Sequence, residues 1–455
     1  MEAKIRSCAL TFAAAALSLF AAGLPSAAQV PASVLTGPPE TGLDSLVALA
    51  LERNPAVGAA QERIRAARAR VGPAGTLPDP MLGVGIMNFP IREPGFGDFM
   101  TMTTVAVEQR LPYPGKLTLE ERAVALELDA ATARLDAEER DVAAEVEKAY
   151  YDLAFLDRSL EVLEGSRQLL TTLSESAAAL YKVGTGSQQA VLTPRVEAVR
   201  LASEATALVE ARAAALARLN ALLDRPSDTP LAGPRIPDAV AQAAVPETPE
   251  RIRFASPLLG APAADSPLPP LADVQQRALE TNPALRAHAA EIGAQAARLD
   301  LARKAHLPDF DVSVLYGHRT RNADMMSLMV SVPLPVHRAA RQEQGVAEAG
   351  ADLAALEAEH RAMVNELRAE VAGYHSTIES ARTQLALLVT AIVPQGRAVL
   401  EAATAAFRVG GADLDGVIDG QATLYDYEVA YFRALTDFAK GIADLERAVG
   451  AEVLP

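Results

Sequence analysis

Ala50-Leu51-Glu52-Arg53-Asn54-Pro55-Ala56 returns 228 residues later as Ala278-Leu279-Glu280-Thr281-Asn282-Pro283-Ala284. Three further landmarks repeat in the same order: Leu77-Pro78-Asp79 as Leu307-Pro308-Asp309, Leu111-Pro112 as Leu334-Pro335, and Tyr181-Lys182-Val183-Gly184 as Phe407-Arg408-Val409-Gly410. All the offsets fall within 223–230 residues, an agreement that chance does not supply even in an alanine-rich chain. The chain is two copies of one unit, 29–224 and 271–450, with a short tail at 451–455. Residues 225–270 between them hold eleven prolines and little periodic apolar pattern, which reads as a linker lying on the outside.

Each unit opens with a short helical pattern broken at Asn-Pro, followed by a helix of about 20 residues that ends near Gly75 or His306. A pair of strand-like runs follows, at about 80–112 and 309–335. In the second copy Phe310, Val312, Val314 and Tyr316 alternate with Asp311, Ser313, Leu315 and Gly317, and Met326, Leu328, Val330 and Val332 alternate with Ser327, Met329 and Ser331. Period two with one apolar face is the strand signature, and runs of about 10 residues are long enough to cross a bilayer as tilted strands. The period then changes to seven. Val142, Val146, Ala149, Leu153, Leu156, Leu160 and Leu163 form one seam, and Leu367, Val371, Tyr374, Ile378, Ala381, Leu385, Leu388 and Ile392 form another. These predict helical hairpins at about 115–224 and 338–449 that reverse at Gly184-Thr185-Gly186 and Gly410-Gly411, with a bend at Pro394. The long arm is near 100 Å, and the returning helix and the helix before the strands, stacked end to end, nearly match it.

The first 28 residues carry Lys4 and Arg6, an apolar run from Ala9 to Leu24 and Ser26-Ala27-Ala28, the pattern of a cleaved secretory signal peptide. Cys8, the single cysteine, lies inside it, so disulfide scaffolds, thiolate metal sites and cysteine nucleophiles are excluded from the mature chain. The formal charge of −16 becomes −17 once Glu2, Lys4 and Arg6 are removed, which disfavours a nucleic-acid partner. Beyond the leader no uninterrupted apolar stretch approaches 18 residues, so any crossing of a membrane must be made by a closed β-barrel. Four strands cannot close one, and their edges must be met by other copies of the chain. The fold expected is mainly α with a small β part.

This layout, with Asn54-Pro55, Leu111-Pro112-Tyr113-Pro114-Gly115-Lys116, Tyr181-Lys182-Val183-Gly184-Thr185-Gly186 and Phe407-Arg408-Val409-Gly410, resembles the TolC family of outer-membrane efflux proteins over the whole mature chain. The resemblance implies a homotrimer in which a twelve-stranded outer-membrane barrel continues into a twelve-helix periplasmic tunnel, with the linker and tail at its waist. It also implies a passive exit duct in outer-membrane lipid, docked to a periplasmic adaptor protein and driven by an inner-membrane transporter of the RND type. Val183-Gly184-Thr185 looks like the family's adaptor-contact motif, and Val409-Gly410-Gly411 matches it with the last residue changed. Of the family's gate residues, Asp419 falls on one acid, whereas Gly416 stands at the other, Phe407 at the Tyr and Ala412 at the Arg. Asp413 and Asp415 lie close by, and two readings stay open for these acids: a cation-selecting ring at the tip, or solvation of a turn and capping of a helix start. The early Pro-Gly-Lys junction and compact hairpins are most similar to the CusC and CzcC heavy-metal branch.

Methionines 81, 87, 100, 102, 325, 326 and 329 fall in or beside the strands; thioethers suit Cu(I), but the preferred reading is apolar barrel residues, Met325 and Met326 facing opposite sides. The six histidines show no i,i+4 pair, and His360 falls in heptad register as a polar seam residue. Gly115-Lys116 is not a phosphate loop, no catalytic set emerges, and no cofactor or resident metal is expected. The chain lacks tryptophan, leaving Phe89, Phe99, Tyr113, Phe310 and Tyr316 as candidates for the aromatic girdles of a barrel. The competing class is a soluble periplasmic coiled-coil adaptor or scaffold, which leaves the alternating strands unexplained.

Overall fold

The computed structural model describes residues 42–92, 95–231, 233–245, 268–320, 322–409 and 413–453. The expected leader, half of the linker, and Gly410, Gly411 and Ala412 lie outside these residues.

The first repeat runs α1 (Leu43–Arg53), α2 (Pro55–Gly75), β1 (Met81–Met87), β2 (Met102–Leu111), α3 (Lys116–Lys182) and α4 (Gln188–Leu222). The short α5 (Asp238–Ala244) follows, and then α6 (Leu271–Thr281), α7 (Pro283–Lys304), β3 (Phe310–His318), β4 (Met325–Ser331), α8 (Gln342–Leu387), α9 (Val393–Arg408) and α10 (Leu414–Val449). The 67 residues of α3 make a rod of about 100 Å. Both α2 and α4 pack along it, as α7 and α10 pack along α8.

The repeated Asn-Pro explains how two short helices match one long one. Asn54 caps α2, its Oδ1 accepting from Ala56 N at 2.8 Å, while its Nδ2 donates to the carbonyl of Leu222 at the end of α4, 3.0 Å away. Asn282 does the same for α7, accepting from Leu285 N at 2.9 Å and donating to Ala448 O near the end of α10 at 2.8 Å. One amide thus satisfies an orphan N–H at one helix start and an orphan carbonyl at another helix end. The proline, at the first helical position, needs no N–H there.

Buried residues form three clusters along the bundle. One gathers α1, α2, α3 and α4 around Leu46, Val146, Leu153 and Leu219; a second gathers α6, α8 and α10 around Ile378, Leu385, Phe438 and Leu445. The third, around Leu163, Leu170, Val417 and Tyr425, joins α3, α4 and α10 toward the reversal at Gly184.

Several elements differ from expectation. The described ends of the linker are not simply external, because Leu231, Ala244 and Leu268 are buried in the bundle clusters and α5 packs on α10. A seven-residue helix is too short for its period to show in sequence. The second long arm begins at Gln342 rather than 338, after Pro333 and Pro335. At Pro394, where a bend is expected, α8 passes into α9 through one wide π segment, Leu388–Ile392, and the proline sits in the next turn. The looser turn accommodates the ring and the missing N–H. Gln342–Arg408 also contains a charge-poor 18-residue window with a mean hydropathy of 1.4, enough by length and composition to cross a membrane. Thr390, Gln395 and Arg397 interrupt the apolar run, so counting uninterrupted residues misses it.

The strands form one antiparallel sheet of order β1-β2-β3-β4. The two hairpins are joined by β2 against β3, with Val105 opposite Tyr316 and Val107 opposite Val314. The strand edges of each hairpin are therefore met partly within the chain.

Candidate functional site

The register sorts the sheet into two faces. Cross-strand partners share a face, so Leu82, Val107, Val314 and Leu328 form one row and Val84, Val105, Tyr316 and Met326 the next. This face also carries Ile86, Val312 and Val330, with Thr103, Gln109 and His318 as its polar members, and it is open: Val84 is 72% and Met326 78% exposed. Apart from Leu315 and five methionines, the opposite face carries small and polar residues: Gly83, Gly85, Thr104, Ala106, Glu108, Arg110, Asp311, Ser313, Gly317, Ser327 and Ser331. An apolar face backed by a small and polar one is the division a barrel makes between lipid and a watery interior. Phe310 lies on the apolar face at the helix end of the sheet, and Phe89 and Phe99 are exposed at the far end. Among the described residues β1 pairs only with β2 and β4 only with β3, so both outer edges are open.

The methionines do not follow the apolar face. Met326 lies on it, whereas Met81, Met87, Met102, Met325 and Met329 lie on the polar one.

At the other extreme, α3 ends in a tight reversal. Gly184 takes φ +79°, where a side chain is strained, and the amides of Thr185 and Gly186 both donate to Leu180 O at 3.0 and 3.1 Å. Ser187 then caps α4 by accepting from Ala190 N. Val183 is left 72% exposed at this tip, and Val409, at the end of α9, 84%. Asp413 occupies the N-cap position of α10, but its side chain makes no cap hydrogen bond. Asp415 and Asp419 are exposed on the first turns of α10, and none of the three acids has an ion pair among the described residues.

Between sheet and tip, ion pairs tie the two repeats together. Lys148 on α3 meets Asp444 on α10 at 3.0 Å, and Lys440 on α10 meets Asp152 on α3 at 2.7 Å. Nearer the tip, Gln421 Nε2 donates to Ser166 Oγ at 2.8 Å and the Tyr425 hydroxyl donates to Glu204 at 2.6 Å. Sequence reasoning missed these contacts, since they join residues more than 200 positions apart. Burial, with Glu446 and Asp44 nearby, pushes the Glu147 carboxyl up to about 7. His360 stacks on His288 with ring centroids 5.5 Å apart. Among the described residues no three His, Cys, Asp or Glu side chains gather as a metal site.

The outer membrane efflux protein family model matches residues 46–224 and 274–451, one segment for each repeat. The chain belongs to the outer membrane efflux protein family. It is an outer-membrane protein that extends into the periplasm. Among solved structures, the outer-membrane channel OprN is similar at TM-score 0.72 and 18% identity, covering 91% of each chain. VceC from Vibrio cholerae is similar at 0.70 and 18%, covering 90% of this chain and 96% of that one. CusC is similar at 0.72 and 15%, covering 90% and 92%. CusC and OprN match equally well in TM-score, so the shared fold favours no branch of this efflux family. None of the curated protein sequences matches significantly.

Proposed function

We propose that this outer membrane efflux protein is the passive exit duct of a tripartite pump for heavy-metal cations. Three copies place β1 of one sheet against β4 of the next, giving twelve strands, comfortably above the roughly eight that the smallest membrane barrels use. The observation that carries the reading is the segregation of the sheet into an exposed apolar face and a polar face, with both outer edges open. The ten residues of β2 and nine of β3, tilted about 40°, give a height near 25 Å, the thickness of an apolar barrel band, whereas β1 and β4, expected at about ten residues, have seven each and reach about 18 Å. The helices then form the periplasmic tunnel. Its tip, with Val183, Gly184 and Thr185 on one hairpin and Val409, Gly410 and Gly411 on the other, contacts the periplasmic adaptor, and an RND-type inner-membrane transporter supplies the energy. The exposed valines support an apolar contact there. Asp413, Asp415 and Asp419, tripled by symmetry, ring the tip and favour cations.

The heavy-metal assignment rests on the Pro114-Gly115-Lys116 junction and the compact hairpins. Growth of a gene-deletion strain on copper, silver, zinc, cobalt and cadmium salts, beside dyes, bile salts and antibiotics, tests it. Selective metal sensitivity is expected. Sensitivity confined to amphiphiles replaces the substrate with drugs and leaves the duct, whereas recovery of the protein in soluble periplasm overturns the duct itself.

A further inference from the structure

The polar face of the sheet should carry few apolar side chains if it lines water, since an apolar side chain gains more on the lipid face. Five methionines nevertheless sit there, against one on the apolar face. Three of them gather in the two rows farthest from the helices: Met87 is paired with Met102, and in the next row Met325 is paired with Gly317, whose partner on β2 is Thr104. The two rows meet at a notch. A Cβ at Gly317 would meet the Met102 sulfur at 2.6 Å, so the thioether of β2 lies over the missing side chain of β3, and Gly317 is in turn the partner of Met325 on β4. Met102 is buried, while Met87 and Met325 are 42% and 45% exposed on either side of it.

We propose that Met87, Met102 and Met325 form a transit site for a soft monovalent cation, Cu(I) or Ag(I), on the inner wall of the barrel. This rests on the reading of that face as the lumen. Thioether sulfur is neutral and polarizable, a ligand for soft cations and a poor one for Zn(II), Co(II) or alkali ions. It needs no deprotonation, so uptake and release involve no proton and no redox step. Two neutral sulfurs at a time hold the ion loosely, since Met87 and Met325 stand on the first and fourth strands, too far apart to share it, and loose holding is what conduction requires: attractive enough to enter, weak enough to leave. Three copies around the ring present three such tracks.

The test uses the full chain in detergent and chloride-free buffer, with Ag(I) alone as the probe. Binding is read by equilibrium dialysis and the ligands by silver X-ray absorption. Wild type is expected to bind Ag(I) with sulfur scatterers, and Met87→Leu/Met102→Leu/Met325→Leu to weaken binding at least tenfold and lose the sulfur signal. Leucine conserves the volume, and circular dichroism checks the fold. If the triple variant fails to fold, Met325→Leu alone, on an exposed edge strand, is expected to weaken binding severalfold. Met326→Leu, on the opposite face, is expected to bind as wild type. Unchanged binding in the methionine variants, or a wild-type spectrum without sulfur, overturns the site. Planar-bilayer conductance separates the two readings: a conducting protein without silver binding loses only the methionine site, whereas a protein that never conducts loses the duct.

Discussion

Asn282→Ala tests the clamp that the repeated Asn-Pro builds. It removes the cap at Leu285 N and the bond to Ala448 O, 2.9 and 2.8 Å long, at a position where Asn282 is 9% and Ala448 2% exposed. Losing an N-cap costs about 1 kcal/mol, and leaving a buried carbonyl without a partner about 1–3 kcal/mol more. The sum, about 2–4 kcal/mol, falls on the junction of α7 and α10 rather than on the whole bundle. Hydrogen exchange read by mass spectrometry measures such local opening directly. Peptides covering the first turn of α7 and the last turn of α10 should exchange roughly 30- to 1,000-fold faster, at tenfold per 1.4 kcal/mol. Asn282→Ser keeps a cap oxygen but cannot reach Ala448, so it should fall between. Asn54→Ala should act in the same way at α2 and α4, and because the two clamps share no partner their effects should add to within about 0.5 kcal/mol. Exchange at the α7–α10 junction unchanged within threefold in Asn282→Ala would refute the clamp.

Other perturbations probe other parts. Glu147, with its carboxyl raised from 4.5 to about 7, holds its proton in the fold after the unfolded chain has lost it. Stability should therefore fall as pH rises from 4.5 to 7, by about 3 kcal/mol in all, and then level. Glu147→Gln should be more stable than wild type at pH 8 and similar at pH 4, measured by denaturant midpoints; equal midpoints at pH 8 contradict the shift. Gly184→Ala forces a side chain into a left-handed conformation at a cost of about 1–2 kcal/mol, expected as faster exchange in the last turn of α3 alone. Val183→Asp with Val409→Asp should leave the protein at normal levels in the outer membrane while resistance drops at least tenfold; wild-type resistance would remove the tip from adaptor contact.

Much of the architecture is legible because its signals are local. The Asn-Pro caps, the change of period from two to seven, and the glycines at Gly184 each act within a turn or two, and each appears twice. The second hairpin reads cleanly because Val312, Val314 and Tyr316 alternate with residues that, Leu315 apart, are small or polar. In β2, Met102, Thr103 and Thr104 blur the same alternation. The pairing of β2 with β3 is not legible at all, since nothing near Val105 specifies Tyr316 more than 200 residues away. The tight turn at the tip follows from sequence, but the environment of its acids does not: Asp413 stands where a cap should be and does not cap. The methionines are the sharpest case. Composition assigns them to the lipid, and only the register shows that five of them face the other way.

The central claim is that one face of this sheet meets lipid and the other water. Cys8 is the single cysteine and lies in the expected leader, so single substitutions give a clean background for labelling. Ala106→Cys and Ser327→Cys probe the polar face, and Val105→Cys and Leu328→Cys, their neighbours in sequence, the apolar one. Isolated outer membranes are treated with a charged, membrane-impermeant maleimide. The account predicts labelling at 106 and 327 and protection at 105 and 328 until detergent and denaturant are added. Equal labelling of neighbouring positions, or protection at 106 and 327 with labelling at 105 and 328, would contradict it.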